Sequence, residues 1–345
     1  MSARRRIPDP PSLRRTTAML RHLLPAALAV TLAAAPVPSR AQAPEAALPD
    51  RTLHIMAGFA AGGTSDLVAR LIADGVGAVT GRRVVVENRT GANGFLAADA
   101  VVRGPADGSM LFQCPMGTMT ISPELPGMIM PVDPRKDLVP VANVALSSYG
   151  AVVRARGPYQ DMADVLKAAK AKPNAISYAS AGIGTAQHLT GERLQRMAGV
   201  QMLHVPYRGA APAAMDVMAG RADFMVTNLG DVVGQIRGGE LRLVALGDAS
   251  MKPAFPETPL LSDTVPGLEV VGWFGLCGAS GMAEPAIRAW ARAVETALQD
   301  KTLQQRLREN GLTPRFEEPT AFAARIEQDR RAWGEVISAA KVRVD

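Results

Sequence analysis

The sequence predicts an α/β fold of two lobes, each a mainly parallel sheet flanked by helices, with a cleft between the lobes. Two features of the 345-residue chain support this prediction. Short β-prone runs alternate with amphipathic helical patterns in two successive series, and such alternation is typical of parallel sheets. Two longer apolar stretches, 141–153 and 268–276, separate the series from each other and from the C-terminal helices. They predict a chain that crosses into a second lobe and returns.

Residues 1–41 have the composition of a secretory signal peptide. Six arginines precede the apolar run 23–35, and small residues surround the expected cleavage site. The run is too short to span a membrane comfortably, which distinguishes a signal peptide from a transmembrane helix. We expect cleavage after Ala41, because cleavage after Ala43 would leave Pro44 at the first mature position.

The basic charge of the chain belongs to this N-terminal segment. The whole sequence has 38 Lys and Arg against 32 Asp and Glu, and residues 1–41 hold seven of the arginines and one of the acids. The mature protein is left with 31 basic and 31 acidic residues. A near-neutral protein lacks the basic surface of a nucleic-acid-binding protein, so no nucleic-acid partner is expected.

The first series of elements predicts lobe one. After a linker at 44–50, strand-like runs lie at 53–56, 84–86 and 110–114, and helical patterns follow the turn at 62–66 and the loop at 87–94. The run at 84–86 is continuous and apolar, so we expect a strand buried in a parallel sheet. The region 115–140 is rich in proline and methionine and is predicted to be an irregular excursion at the surface. The stretch 141–153 then crosses to lobe two.

The second series predicts lobe two, and the return stretch completes lobe one. The elements expected in order are a helix at 161–172, a strand at 176–179, a helix from 184 to about 198, strands at 202–205, 223–226 and 241–246, and helices at 213–219 and from 228–231 onward. Three helical patterns end the chain, at 285–299, 302–310 and 320–340. The predicted boundaries are 44–150 plus 273–345 for lobe one and 151–272 for lobe two.

Three glycine-bearing loops between strands and helices are predicted to face the cleft. They lie at 59–66 in lobe one and at 178–188 and 205–209 in lobe two. Glycine lets backbone N–H groups approach a ligand, and the N-terminus of a helix favours an anion. These loops predict an anion-binding site built from backbone donors on both lobes. The alternative for each loop is an ordinary turn capped by Thr64, Ser65 or Thr185.

Side chains near these loops have structural as well as functional interpretations. His188 lies one turn into a helix, where a buried structural histidine is the more common case. Arg208 is placed to pair with a ligand carboxylate, with Asp231 or with Glu192, and the sequence does not separate these partners. Tyr207 is compatible with the cleft wall and with the core.

No cofactor, metal or catalytic site is predicted. Gly182-Ile-Gly184 matches the start of a dinucleotide fingerprint, but the third glycine would fall at Gln187. The chain has no G-x-S-x-G elbow, and its histidines lack metal-ligand spacing. Trp273 and Phe274 are expected in the core. Cys114 and Cys277 lie in strand-like runs, and both a disulfide and two free buried cysteines fit this placement.

Five motifs together resemble a known family. They are Phe59-Ala-Ala-Gly-Gly-Thr-Ser-Asp66, Val86-Glu-Asn-Arg-Thr-Gly91, Tyr178-Ala-Ser-Ala-Gly-Ile-Gly-Thr-Ala-Gln-His188, Val205-Pro-Tyr-Arg-Gly-Ala-Ala-Pro212 and Gly272-Trp-Phe-Gly-Leu276. In this order they are similar to the Bug-type extracytoplasmic solute receptors, the substrate-binding proteins of tripartite tricarboxylate transporters. The resemblance implies a two-lobed periplasmic binding protein of the type II-like class, which captures a small organic carboxylate and delivers it to the membrane transporter subunits.

The resemblance also implies the ligand-binding residues. They are Phe59, Ala61, Gly62, Gly63, Thr64, Asp66, Ser180, Ala181, Gly182, Gly184, Thr185, His188, Pro206, Tyr207 and Arg208. Family members usually carry proline at the position of Ala61 and glycine at the position of Asn93, so the identity of the carboxylate stays open. We expect a monomer without enzymatic activity. A sensory protein that docks a sensor kinase and a secreted α/β enzyme are the alternatives.

Overall fold

One long strand, β4 (Leu138–Arg154), organises the fold. The computed structural model describes residues 48–344, so the predicted signal peptide lies outside the described residues. The first part of β4 pairs with β9 (Val271–Ala279) and β10 (Leu312–Glu317), and its last part pairs with β7 (Phe224–Asn228) and β8 (Leu241–Leu246). The crossing predicted at 141–153 is therefore a single continuous strand.

The sheet runs in the order β2-β1-β3-β9-β4-β7-β5-β6, with β8 and β10 also paired to β4. The remaining strands of the described chain are β1 (Leu53–Ala57), β2 (Val84–Asn88), β3 (Met110–Pro115), β5 (Ser177–Ser180) and β6 (Leu203–Pro206). We call β1–β3, β9, β10 and the start of β4 the first half-sheet, and β5–β8 and the end of β4 the second half-sheet. Three adjacent strands are parallel in each half, β2-β1-β3 in the first and β7-β5-β6 in the second. Strand β9 pairs with β3 and with β4 in the antiparallel sense.

Helices cover both half-sheets. Those of the described residues are α1 (Thr64–Thr80), α2 (Phe95–Val102), α3 (Met162–Ala171), α4 (Ala186–Ala198), α5 (Ala210–Met218), α6 (Val233–Arg237), α7 (Leu261–Thr264), α8 (Glu284–Ala297), α9 (Lys301–Glu309) and α10 (Pro319–Ala340). Helices α1 and α8 pack together against the first half-sheet, while α10 contacts both β4 and α4. No helix within 48–344 is long and apolar enough to cross a membrane.

Local sequence explains the helix that opens the first half-sheet. In α1 the apolar side chains Val68, Leu71, Ile72 and Val76 recur at spacings of three and four and are buried. The helix ends at Gly81, which forms a left-handed C-terminal cap. Its φ is 67°, and its amide donates a hydrogen bond to the Gly77 carbonyl.

Three predicted features differ in the structure. Strand β2 is only partly buried, because it is an edge strand with one neighbour. The region 115–140 is not a surface excursion throughout: Gly117–Ile121 forms one turn of π-helix with four buried residues. Strand β10, which joins α9 to α10 and pairs with the middle of β4, was not predicted from the sequence. Its sequence carries Pro314 and no clear alternation, so a strand was not expected there.

Cys114 and Cys277 form a disulfide. They lie on the neighbouring antiparallel strands β3 and β9, with their Cα atoms 5.9 Å apart. This spacing is within the normal range for a disulfide. The bond links segments separated by 163 residues and lies in the hydrophobic core, since both side chains are fully buried.

Candidate functional site

The N-termini of three helices, α1, α4 and α5, meet at one cavity between the two half-sheets. The cavity has a volume of about 80 Å³, well above the minimum needed to hold an ordered water molecule. Its lining is formed by Phe59, Ala60, Gly63, Thr64, Ser65, Asn93, Pro115, Met116, Gly117, Thr118, Ser122, Tyr149, Ala181, Gly184, Thr185, Ala186, Gln187, Gly209, Ala210, Ala211, Asn228, Asp231, Trp273 and Phe274. Because first-turn amides have no acceptor within their helix, this convergence favours an anion.

The loop before α1 is fixed by Asp66. Its carboxylate accepts hydrogen bonds from the Gly62 amide at 3.2 Å, from Asn88 Nδ2 at 2.9 Å and from Arg70 Nε at 3.0 Å. Asn88 Nδ2 also donates to the Phe59 carbonyl at 3.0 Å, so the end of β2 supports the same loop. Burial by itself would raise the pKa of Asp66, but these hydrogen bonds together lower it. Asp66 therefore shapes the loop as an ionised side chain.

Most backbone amides of the loop before α4 already donate hydrogen bonds to nearby groups of the same half-sheet. The Ala181 amide donates to Gln187 Oε1 at 2.7 Å, the Gly182 amide to Ser180 Oγ at 3.2 Å, and the Gly184 amide to His188 Nδ1 at 3.2 Å. Thr185 caps the helix by accepting from the His188 amide at 3.4 Å. The loop itself was the predicted anion cradle, but the geometry moves the available donors to the first turn of α4, at Ala186 and Gln187.

The third helix N-terminus begins at Gly209. The Gly209 amide donates to the Ala181 carbonyl at 3.1 Å, and the Tyr207 amide donates to the Ser180 carbonyl at 2.9 Å. These bonds align the start of α5 beside the α4 loop. A Cβ atom at Gly209 would lie 3.9 Å from Ala60 Cβ, so this loop also reaches the first half-sheet.

Aromatic side chains form the opposite wall. Trp273 is buried, packs edge-on against Phe322 at 5.0 Å, and donates its indole N–H to Asp329 Oδ2 at 2.6 Å. Burial, with a smaller effect of the neighbouring Asp231, raises the pKa of Tyr149 far above its ordinary value. Its hydroxyl is therefore protonated. The wall is mostly apolar, which suits the carbon skeleton of a ligand.

The lining has one ionisable carboxylate, Asp231, and contains no Lys, Arg or His side chain. Asp231 Oδ1 accepts from the amide and hydroxyl of Thr64 at 2.8 and 2.7 Å. Its Oδ2 accepts from Thr227 Oγ1 at 2.5 Å and from Gln187 Nε2 at 3.3 Å. Asp231 therefore joins the N-terminus of α1 to the second half-sheet, and its lone pairs are largely occupied.

Two stacked histidines support the α4 loop from below. The rings of His188 and His204 are 4.0 Å apart, and His204 Nε2 lies 2.7 Å from Ser180 Oγ. Burial lowers the pKa of His188 despite the nearby Glu192. Burial and the adjacent His188 lower the pKa of His204 to about 3. Both rings are neutral near pH 7, and His188 Nδ1 is then free to accept the Gly184 amide.

The structure brings six of the predicted ligand-binding residues to the cavity wall: Phe59, Gly63, Thr64, Ala181, Gly184 and Thr185. The others shape the same loops from outside the lining: Ala61, Gly62, Asp66, Ser180, Gly182, His188, Pro206, Tyr207 and Arg208. Tyr207 donates to Asp216 at 2.7 Å and, partly buried, packs against the core of the second half-sheet. Arg208 is exposed and forms no ion pair with Asp231 or Glu192, which bond to other groups.

Several lining residues were not predicted from the sequence. At or just beyond the carboxyl ends of β3 and β7, where ligands bind in α/β proteins, the lining includes Pro115, Met116, Gly117, Asn228 and Asp231. That rule, applied to every strand, would have found them. Asn93 and Tyr149 carry no comparable sequence signal, because their positions depend on how the two half-sheets meet.

The chain is similar to known proteins over most of its length. The model of the TctC family, described as the tripartite tricarboxylate transporter family receptor, matches residues 68–342. A UPF0065 protein from the tcbD-tcbE intergenic region of Pseudomonas sp. (strain P51) is 30% identical over 84% of this chain and 87% of its own length. Protein BugT of Bordetella pertussis is 27% identical over 84% of this chain and 89% of its own.

Solved structures show the same fold. R. palustris Rpa4515 with adipate has a TM-score of 0.82 at 29% identity, covering 86% of this chain and 99% of that one. The periplasmic binding protein BugD has a TM-score of 0.80 at 28% identity, covering 86% and 99%. MatC from Rhodopseudomonas palustris with bound malate has a TM-score of 0.78 at 27% identity, covering 84% and 99%. The chain is thus a two-lobed α/β binding protein and belongs to the tripartite tricarboxylate transporter receptor family, as a Bug-type receptor.

Proposed function

We propose that this receptor binds one small organic carboxylate in the cavity and delivers it to a tripartite tricarboxylate transporter in the membrane. The observation that carries the proposal is the convergence of three helix N-termini on a cavity without cationic side chains. Helix dipoles and unpaired amides stabilise a carboxylate without a buried ion pair. Adipate and malate in two related receptors support the ligand class.

The carboxylate is expected at the first turns of α4 and α5. The amides of Ala186, Gln187, Ala210 and Ala211 lack acceptors within their helices. The Thr64 amide at α1 already donates a hydrogen bond to Asp231, so it is not available to the ligand. The carbon skeleton would then extend along the aromatic wall, with ordered water completing the polar contacts.

The receptor is proposed to act as an exported monomer with two lobes, 44–150 plus 273–345 and 151–272. Ligand binding between the lobes would favour the closed arrangement, because amides of α4 and α5 on one side and the aromatic wall at Trp273 and Phe274 on the other would contact the same acid. Catalysis is not favoured by the geometry. Ser180 and His204 are 2.7 Å apart, but Ser180 is fully buried beneath the loop and out of reach of a substrate.

A thermal-shift screen of the mature protein tests this function. The panel contains mono-, di- and tricarboxylates, amino acids and aromatic acids such as nicotinate. An acid at about a hundred times its Kd is expected to stabilise the protein by roughly 3 kcal/mol. Uncharged amides of the same acids serve as controls and are expected to have little effect. If no carboxylate stabilises the protein at millimolar concentration, the proposal is wrong.

A further inference from the structure

The segment between β2 and α2 has an unusual backbone. Four consecutive residues, Gly91 to Gly94, have positive φ angles of 135°, 45°, 52° and 89°. Two of them, Ala92 and Asn93, are not glycine. Asparagine tolerates this region better than most other residues, because its short polar side chain forms local hydrogen bonds there.

Close packing keeps this segment in place. The Thr118 hydroxyl donates to the Asn93 carbonyl at 2.6 Å. A Cβ atom at Gly58 would lie only 2.4 Å from Gly94 Cα, so the two backbones are in direct contact. The first half-sheet thus fixes the position from which the Asn93 side chain extends.

The Asn93 side chain crosses to the other side of the cavity. Its Nδ2 donates to the Ile183 carbonyl at 2.6 Å and lies 3.4 Å from Ser122 Oγ. Ile183 is the tip of the α4 loop and is 41% exposed. Because Asn93 and Gly184 both line the cavity, this hydrogen bond lies at the cavity's solvent edge.

The other hydrogen bonds of the loop are local. The amides of Ala181, Gly182 and Gly184 bond to side chains within the second half-sheet's own segments. In the described part of the chain, Asn93 is the residue whose side chain hydrogen-bonds this loop to a connection of the first half-sheet. Residues of the second half-sheet therefore shape the loop, and Asn93 of the first half-sheet positions it across the cavity.

We propose that Asn93 is a positioning residue that holds the tip of the 181–185 loop over the cavity and sets how often the cavity opens. The consequence for ligand retention rests on the proposed function. Loss of one neutral hydrogen bond is expected to raise the fraction of open molecules by about two- to tenfold. Ligand release is expected to accelerate by a similar factor, because an acid leaves through the open form.

Two substitutions at position 93 distinguish the effect of the side-chain hydrogen bond from the effect of the backbone conformation. Asn93→Asp keeps the size and the tolerance of positive φ, but it places an acceptor against the Ile183 carbonyl. Asn93→Gly removes the side chain and relieves the backbone. Asn174 is the matched control position, since it has a φ of 59°, is exposed, and lies at the opposite end of β5 from the loop. Asn174→Asp and Asn174→Gly make the same chemical changes there.

Hydrogen–deuterium exchange of peptides covering 181–187, in buffer alone, is the deciding measurement. Both Asn93 variants are expected to exchange about two- to tenfold faster in this region, with no change in the Asn174 variants. N93G is also expected to keep or raise its unfolding temperature, which separates positioning from a general loss of stability. Unchanged exchange in both Asn93 variants would overturn the proposal.

Release of adipate and malate from the same variants is measured in parallel. Faster release from N93D and N93G than from wild type supports the retention role, and equal release contradicts it. If wild type binds neither adipate nor malate, the proposed function is wrong for these two acids. The exchange experiment still decides the role of Asn93, because it needs no ligand.

Discussion

At the scale of single residues, the site depends on side chains that orient backbone donors. Asp66, His188 and Gln187 each accept a hydrogen bond from a loop amide, and each thereby fixes a glycine-bearing segment. The Thr64 amide instead donates its hydrogen bond to the carboxylate of Asp231, a group of the protein itself. A ligand carboxylate at α1 would compete with this bond, so the first turns of α4 and α5 are the better anion site.

The stacked histidines make stability depend on pH. Their pKa values are lowered in the folded state by burial, to about 3 for His204, whereas unfolded histidine titrates near 6.5. The unfolded chain therefore binds more protons below about pH 6.5. The histidines' contribution is fully present above that pH and is lost as the pH falls toward 3. Glu192 and the Tyr178 hydroxyl are the other titratable groups beside these rings.

We predict a lower free energy of unfolding at pH 5 than at pH 7.5, measured by urea unfolding at both values. The His204→Gln variant is expected to lose less stability between these two values, because it removes one of the buried bases. Its stability at pH 7.5 provides the reference for any packing defect. An equal loss in wild type and in H204Q would show that other groups carry the pH dependence.

At the scale of elements, the sequence was informative where periodicity and turn residues coincide. The predicted starts of α1 and α4 lie at glycine-rich turns, and the boundaries of β8 match the observed strand. Prediction failed for β10 and for the π-helical turn at Gly117–Ile121, because pairing with β4 and burial under α10 determine both. Asn228 and Asp231 lie at the carboxyl end of β7, so the rule that ligands bind at strand ends could have placed them in the cavity lining from the sequence.

The disulfide between β3 and β9 stabilises the wall beside the cavity. It connects residues 163 positions apart. We predict that Cys114→Ser together with Cys277→Ala lowers the free energy of unfolding by about 2–5 kcal/mol, because the unfolded chain gains entropy. Urea unfolding with and without reductant measures this difference. Wild type treated with reductant in denaturant should unfold like the variant; equal stability of variant and oxidised wild type would contradict the prediction.

At the scale of the whole molecule, β4 is the shared spine of both half-sheets. Its partners change from β9 and β10 to β7 and β8 between Ser148 and Tyr149. We propose that the lobes bend relative to each other near this point, where Ser147 Oγ donates to Asn228 Oδ1 at 2.8 Å. A hinge inside a continuous strand would limit how far the N-terminus of α1 can move from those of α4 and α5.

The central claim is that main-chain donors at helix N-termini hold the ligand's carboxylate. A crystal structure of the mature receptor with the acid that stabilises it most tests this claim directly. We predict carboxylate oxygens about 2.7–3.2 Å from first-turn amides of α4 or α5, with the carbon skeleton against Trp273 and Phe274. A carboxylate paired with the Arg208 guanidinium, or an acid bound outside this cavity, would contradict the account.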